Sequence, residues 1–206
     1  MIAIVDYGLG NIQAIANIYD RLGIVAAPAA TAEAIEQAER IILPGVGSFD
    51  WAMQSLDNAG LRSPLDHAVR VARKPVLGIC VGMQMMTHRS EEGQLAGLGW
   101  IDADVQRFRI GPAERRQVLP HMGWNDVIPG QPSPLMRGLE ADARFYFLHS
   151  YCVVPRRNEL TFAVAEYGSD FACGVQQENC YGVQFHPEKS HAWGVQLLRN
   201  FAELTC

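Results

Sequence analysis

A cysteine set between two glycines at the end of an apolar run constrains this chain more than any other feature. The segment Pro75-Val-Leu-Gly-Ile-Cys80-Val-Gly82-Met-Gln84 reads as a buried strand that turns sharply into a helix. Such a corner belongs to an open α/β sheet, and glycines beside it let neighbouring backbone pass closely enough to leave the central side chain exposed. Cys80 occupies the place of the nucleophile, at the first turn of a helix, where unpaired N–H groups and the helix dipole favour thiolate over thiol. A small cysteine closing a core strand would give the same string, so the motif needs a partner before it carries chemistry.

That partner lies about a hundred residues on, in Cys180-Tyr-Gly-Val-Gln-Phe185-His186-Pro187-Glu188-Lys189-Ser190. Tyr181 to Phe185 reads as a strand, and Pro187 pushes His186 out of the helical region. Glu188 stands two residues further, and in extended backbone that spacing returns both side chains to one side, where the carboxylate accepts the Nδ1 proton and aims Nε2 outward. Cysteine, histidine and glutamate in these positions follow the logic of a nucleophile, base and orienter triad. A surface turn would also accommodate His-Pro-Glu alone; the cysteine corner is what favours catalysis.

Composition limits the alternatives. The 206 residues fit one domain spanning 1–206, and 49% hydrophobic residues are ample for its core. A formal net charge of -5 gives no electrostatic footprint for nucleic acid or an anionic membrane. Met1-Ile-Ala-Ile-Val-Asp6 reads as a first strand, not a secretory leader. No apolar stretch approaches the length of a membrane span. The five cysteines are odd in number and contain no C-x-x-C, which argues against a disulfide framework or a zinc site and for a reducing cytoplasm. No metal site and no cofactor are expected, and Gly8-Leu-Gly10 lacks the third glycine of a dinucleotide fingerprint.

Along the chain, the N-terminal half alternates strand and helix: a strand over 1–7, a helix through Ile12, Ile15, Ala16, Tyr19 and Leu22, a weak strand over 24–27, a short helix over 32–38, and a strand over 40–43 broken by Pro44-Gly-Val-Gly47. Ser63, Pro64 and Asp66 supply an N-cap, a first-turn proline and an acidic third residue for a helix reaching about Arg73. This order means a parallel sheet covered on both faces. Beyond Gly97 the spacing changes to strands over 100–108, 118–127, 145–151, 162–167, 171–177 and 181–185, with antiparallel additions expected, before a closing helix over 191–204 that carries Trp193, Leu197, Leu198 and Phe201 on one face. Arg107 to Pro120 reads as the mobile loop. Ligands of an open parallel sheet sit beyond its carboxyl ends. The turns after the third and fourth strands therefore come together there, and the first offers oxyanion donors to Cys80.

With these strings in place the chain resembles the class I, triad-type glutamine amidotransferases, marked by a glycine turn at a strand end, G-x-C-x-G-x-Q and H-P-E. Asp6-Tyr-Gly-Leu-Gly-Asn11, Pro44-Gly-Val-Gly-Ser-Phe49, His121-Met-Gly-Trp-Asn125, Phe147-Leu-His-Ser-Tyr151 and His186-Pro-Glu-Lys-Ser190 are most similar to the branch formed by glutaminase subunits of imidazole glycerol phosphate synthases. The resemblance implies a flavodoxin-like α/β fold with a mostly parallel central sheet flanked by helices. It implies Cys80 as nucleophile, His186 as base and acid and Glu188 as orienter, with backbone N–H groups of Val81 and of the Val46–Gly47 turn as the oxyanion hole. Gly47, Gln84 and the Ser150–Tyr151 backbone match glutamine contacts. Asn11, Trp124, Tyr146 and Lys189 match positions facing or gating a partner. That partner would be a separate (β/α)8-barrel cyclase, joined in a heterodimer that receives ammonia. Trp124, Tyr146 and Tyr151 also suit a core. Val81 replaces a leucine common in the family, with little consequence where only its N–H is used.

The same glutaminase chemistry serving a paralogous synthase, such as one that amidinates surface sugars, remains open at this point, as does a non-catalytic regulatory module. Relatives in the class carry more glycine in the turn after the third strand, and β-branched Val46 restricts peptide flipping there. The resemblance implies a glutaminase nearly idle alone and switched on by docking, with its oxyanion donors unaligned until then. On that account Val46→Gly raises glutamate release by the isolated chain, and unchanged basal turnover contradicts it.

Overall fold

In a computed structural model of the chain, which describes residues 1–109 and 118–204, the N-terminal half alternates strand and helix as its sequence requires. In chain order the elements are β1 (Ile2–Val5), α1 (Ile12–Arg21), β2 (Ala26–Ala29), α2 (Ala32–Gln37), β3 (Arg40–Gly45), α3 (Phe49–Asn58), α4 (Arg62–Asp66), β4 (Val76–Cys80), α5 (Val81–Met85), β5 (Ala103–Arg107), β6 (His121–Asp126), β7 (Ile128–Pro129), β8 (Arg144–His149), β9 (Tyr151–Pro155), β10 (Thr161–Glu166), β11 (Asp170–Gln177), β12 (Cys180–Val183) and α6 (His191–Ala202).

The main sheet runs β2-β1-β3-β4-β12-β11-β10-β7, and β9 joins β11 and β5 off that path. Its first five strands are all parallel, in the 2-1-3-4-5 order of flavodoxin-like sheets. The rest pair antiparallel. β12 therefore differs from the antiparallel expectation: it is antiparallel to β11 but parallel to β4, closing the flavodoxin-like half. β1, β3 and β4 are buried along their whole lengths or nearly so, as near-continuous apolar strands of a two-sided parallel sheet must be. β6 and β8 form a separate two-stranded ribbon.

Several boundaries differ from the sequence reading for physical reasons. β2 lies two residues later than expected and contains Pro28, which is tolerated because β2 is an edge strand. β3 continues through Pro44 to Gly45, where it pairs with Cys80. α3 was not expected, although Phe49, Ala52, Met53 and Leu56 repeat at helical spacing after Ser48. α4 begins at Arg62, with Leu61 in the cap position, so Ser63 is not the cap. Pro64 fits the first turn because N–H groups there have no intrahelical partner. The helix continues as a π turn over His67–Val71 and stops short of Arg73. The single strand expected over 145–151 divides at Ser150: β8 pairs with β6, while β9 crosses to the main sheet. The loop expected over Arg107 to Pro120 lies partly outside the described residues.

Among the described residues, no helix is long and apolar enough to cross a membrane.

Candidate active site

The carboxyl ends of β1, β3, β4 and β12 bring Asn11, the turn at Val46–Gly47, Cys80 and His186 to one edge of the sheet. Cys80 is the last residue of β4 and precedes α5 directly, with φ 55 and ψ -114. Left-handed φ at a non-glycine residue is a strained state that surrounding structure must hold in place, at a cost of about 1–3 kcal/mol. Two glycines do that here. A Cβ at Gly82 would overlap the Leu43 carbonyl and come within 3.2 Å of the Pro44 carbonyl carbon; one at Gly45 would meet Val81 carbonyl carbon at 2.8 Å. The end of β3 and the start of α5 thus touch backbone to backbone beside the nucleophile. Gly47, at φ 86, turns the chain just beyond that contact.

His186 Nδ1 stands 2.9 Å from Glu188 Oε1, and both side chains are almost wholly buried. They meet for a different reason than extended spacing, because Pro187–Lys189 forms a single 3₁₀ turn that folds the carboxylate back toward the ring. The ring is also fixed from its backbone. His186 N–H donates to the Tyr146 carbonyl at 2.9 Å, and the Ser190 hydroxyl donates to the His186 carbonyl at 2.6 Å. Burial opposes a charged His186, but interaction with Cys80 and Glu188 outweighs it and raises the imidazole up to about 10. For Glu188, burial likewise opposes charge, and the hydrogen bonds from His186 and Asn11 overcome it, so the carboxyl lies below its ordinary value.

Asn11 occupies a place the sequence reading missed. The resemblance matches it to a position facing or gating a partner, and in addition its Nδ2 donates to Glu188 Oε1 at 2.6 Å. An asparagine at a helix N-cap ordinarily binds the first-turn N–H groups, a contact worth about 1 kcal/mol; Asn11 caps α1 by position but makes no such bond, its amide being committed to the carboxylate. The signal was present in the spacing of Asn11 before α1, but only the tertiary fold shows where the side chain goes.

These groups open on a cavity of about 320 Å³. Its lining includes Val46, Gly47, Cys80, Val81 and Gln84 together with Leu148, Ser150, Tyr151 and His186, and Asn11 and Lys189 line it too. The expected glutamine contacts Gly47, Gln84, Ser150 and Tyr151 are therefore brought together. Gln84 donates to the Tyr151 carbonyl at 3.3 Å and to Gln184 Oε1 at 3.0 Å. Gln184 Nε2 approaches Cys80 Sγ at 3.7 Å, and the Leu148 carbonyl lies 3.9 Å from the sulfur. The sulfur also interacts with the His186 imidazole. Glu92 was not anticipated. Its side chain lines the cavity and accepts the Phe49 N–H at 2.8 Å, placing one carboxylate in the pocket at the start of α3. A larger cavity of about 600 Å³ opens beside β9, β10 and β11, but its ionisable lining residues are Cys152 and Asp170, which make no nucleophile and base pair.

Trp124 and Tyr146 stand outside the cavity as a cross-strand pair on the β6–β8 ribbon. Trp124 is 39% exposed, and its neighbours Met122 and Leu148, a second pair of the same face, are 61% and 38% exposed. Trp124 stacks on His191, and Lys189 Nζ lies 5.7 Å above the Tyr146 ring. The pair is a surface patch, which excludes a core role for Trp124.

The raised His186 value fixes a pH dependence. The folded state binds the proton more tightly than an ordinary imidazole at 6.5 does, so the resulting stabilisation is full below about pH 6.5 and is lost as pH rises toward about 10. Wild type should therefore exceed His186→Gln in unfolding free energy by a margin that shrinks across that window in urea titrations. A margin that stays constant or widens with pH contradicts the assignment.

Comparison with known proteins agrees with this geometry. The sequence pattern described as Glutamine amidotransferase class-I matches residues 3–204. A protein of Bdellovibrio bacteriovorus named imidazole glycerol phosphate synthase subunit HisH is 54% identical over 99% of this chain and 100% of its own length. Subunit HisH 2 of Pseudomonas aeruginosa is 48% identical over 99% and 100%. Among solved structures, one titled glutamine amidotransferase superposes with a TM-score of 0.74 at 21% identity, covering 98% of each chain. PurLQS from Thermotoga maritima gives 0.71 at 18%, covering 97% of this chain and 96% of that one; at those identities the likeness is one of fold. By the full-length match of pattern and relatives, this chain belongs to the class-I glutamine amidotransferases.

Proposed function

We propose that this chain is the glutaminase subunit of an imidazole glycerol phosphate synthase, hydrolysing glutamine to glutamate and passing the ammonia to a cyclase subunit for histidine biosynthesis. The observation that carries the chemistry is the strained Cys80 beside the His186–Glu188–Asn11 chain at the wall of a cavity suited to one small amino acid. The relatives' printed name supports the pathway. A separate (β/α)8 barrel is the partner proposed to cover the Met122, Trp124, Leu148 and Lys189 face, in a cytoplasm that keeps the four described cysteines as free thiols.

Cys80 and Glu188 together hold the His186 imidazole above its ordinary value, so it carries a proton near neutrality, and the sulfur attacks in its thiolate form. Cys80 sulfur attacks the side-chain amide carbon of glutamine, and the carbonyl oxygen becomes an oxyanion held by N–H groups of Val81 and the Val46–Gly47 turn. Such donors contribute a few kcal/mol to the barrier. Collapse of the tetrahedral intermediate breaks the C–N bond while His186 gives its proton to the departing nitrogen, releasing ammonia and leaving a glutamyl thioester.

Acylation then changes the base. The sulfur is now tied up in the thioester and its interaction with the imidazole is lost, so His186, having given its proton to ammonia, takes one from water as that water attacks the thioester. Collapse expels the thiolate and releases glutamate, and the protonated His186 is restored. Glu92 supplies a carboxylate for the substrate's ammonium group, and Gln84 with the Ser150–Tyr151 backbone supplies polar contacts to its other end.

The test uses the complex with the cyclase subunit. Cys80→Ala should abolish synthesis driven by glutamine, by more than about a thousandfold on the scale of lost nucleophiles, while leaving synthesis driven by added ammonia intact. Glutamine-driven synthesis persisting in Cys80→Ala, or loss of both activities in a folded complex, would overturn the assignment of Cys80 as nucleophile.

A further inference from the structure

Two buried histidines take no part in the chemistry above. His121 on β6 and His149 at the end of β8 are a cross-strand pair, packed in an aromatic cluster in which the His121 ring stacks on Tyr167 at 4.1 Å and on Phe147 at 4.9 Å. Their nitrogens are nonetheless all engaged. His149 Nδ1 lies 2.8 Å from the Tyr151 carbonyl, His149 Nε2 lies 3.1 Å from His121 Nδ1, and His121 Nε2 lies 3.3 Å from Asn125 Nδ2, which also donates to the Glu166 carbonyl.

The end of this chain sets the direction of every bond in it. A carbonyl only accepts, so His149 Nδ1 carries the proton and, in the neutral ring, Nε2 is bare. His121 Nδ1 must then donate to it, which leaves His121 Nε2 bare to accept from Asn125. One arrangement of neutral rings satisfies all four nitrogens. Burial favours the same state, pushing His149 down to about 3 and His121 down to about 4, so neither competes with His186 for a proton near neutrality.

The acceptor at the end of the chain is the carbonyl that also receives Gln84 Nε2, and Gln84 leads through Gln184 to the Cys80 sulfur. Tyr151 follows the break at Ser150 where the chain passes from the ribbon to the main sheet, and Ser150, Tyr151 and His149 all line the cavity. A substrate contact made from backbone at such a junction needs something beyond sheet pairing to fix it. We propose that His121 and His149 are positioning residues, a directed pair of neutral imidazoles that holds the Ser150–Tyr151 backbone against bound glutamine. This rests on the glutaminase reading of the site and assigns the aromatic pocket behind it a part in substrate affinity.

Steady-state kinetics of glutamine hydrolysis in the cyclase complex test it. His149→Leu removes both ring nitrogens, whereas His149→Asn keeps an N–H near the position of Nδ1. The leucine variant should raise KM for glutamine about tenfold, the weight of one directed hydrogen bond, with kcat within about twofold, and the asparagine variant should restore most of the loss. Should His149→Leu not fold, His121→Phe keeps the stacking on Tyr167 and Phe147 while removing the donor to His149, and should raise KM about threefold. Unchanged KM in whichever variant folds, or a fall in kcat that His149→Asn does not rescue, overturns the positioning role. Wild-type complex that releases no glutamate overturns the functional reading itself, and the inference with it.

Discussion

The backbone contact between the end of β3 and the start of α5 is the constraint from which the site follows. Leu43 and Pro44 pass so close to Gly82 that no side chain fits between them, and Gly45 is equally tight against Val81. That contact holds Cys80 at a φ that ordinary residues avoid and sets the Val46–Gly47 turn beside the nucleophile. The strain is local, and the buried parallel strands on either side of it are what keep it from relaxing.

Charge is organised around the same corner. Glu188 is nearly inaccessible, and one of its carboxylate oxygens has no hydrogen-bond partner among the described residues, so its anionic form depends on His186 and Asn11 at the other oxygen. A buried carboxylate served on one side only favours a cationic neighbour strongly. Together with Cys80, the larger of the two favourable partners, it raises the imidazole, and it explains why Asn11 leaves its helix uncapped. The proton on His186 is thus held by Cys80 and Glu188 against the cost of burial, and the sulfur's share of that hold is lost once it is acylated.

Much of this was legible in the chain. Glycine about Cys80, proline after His186 and the strand and helix alternation of the first half each have a local physical meaning, and they led to the right edge of the right sheet. What was not legible depends on contacts distant in sequence. Asn11 reads as a cap until α1 is set against the Pro187–Lys189 turn. Nothing in 145–151 announces that Ser150 is a crossing between two sheets, since both flanking segments have strand composition. The direction of β12 depends on its neighbour β4, a hundred residues earlier. α3 differs from these, because its helical period of Phe49, Ala52, Met53 and Leu56 is present in the sequence directly after the glycine turn. Glu92 lies in an irregular segment with no motif, and only the cavity reveals it.

The central claim is that the fold makes one of several buried cysteines a nucleophile. Burial pushes the Cys152 thiol up to about 11 and that of Cys180 up to about 12, and raises Cys173 as well, so none of these should react near neutral pH. Mass spectrometry of the complex after treatment with a thiol-alkylating glutamine analogue measures this directly. The account predicts a single adduct on Cys80, formed more slowly when glutamine is present and suppressed in His186→Ala. Adducts distributed over the other cysteines, or a Cys80 adduct indifferent to both glutamine and His186, would contradict it.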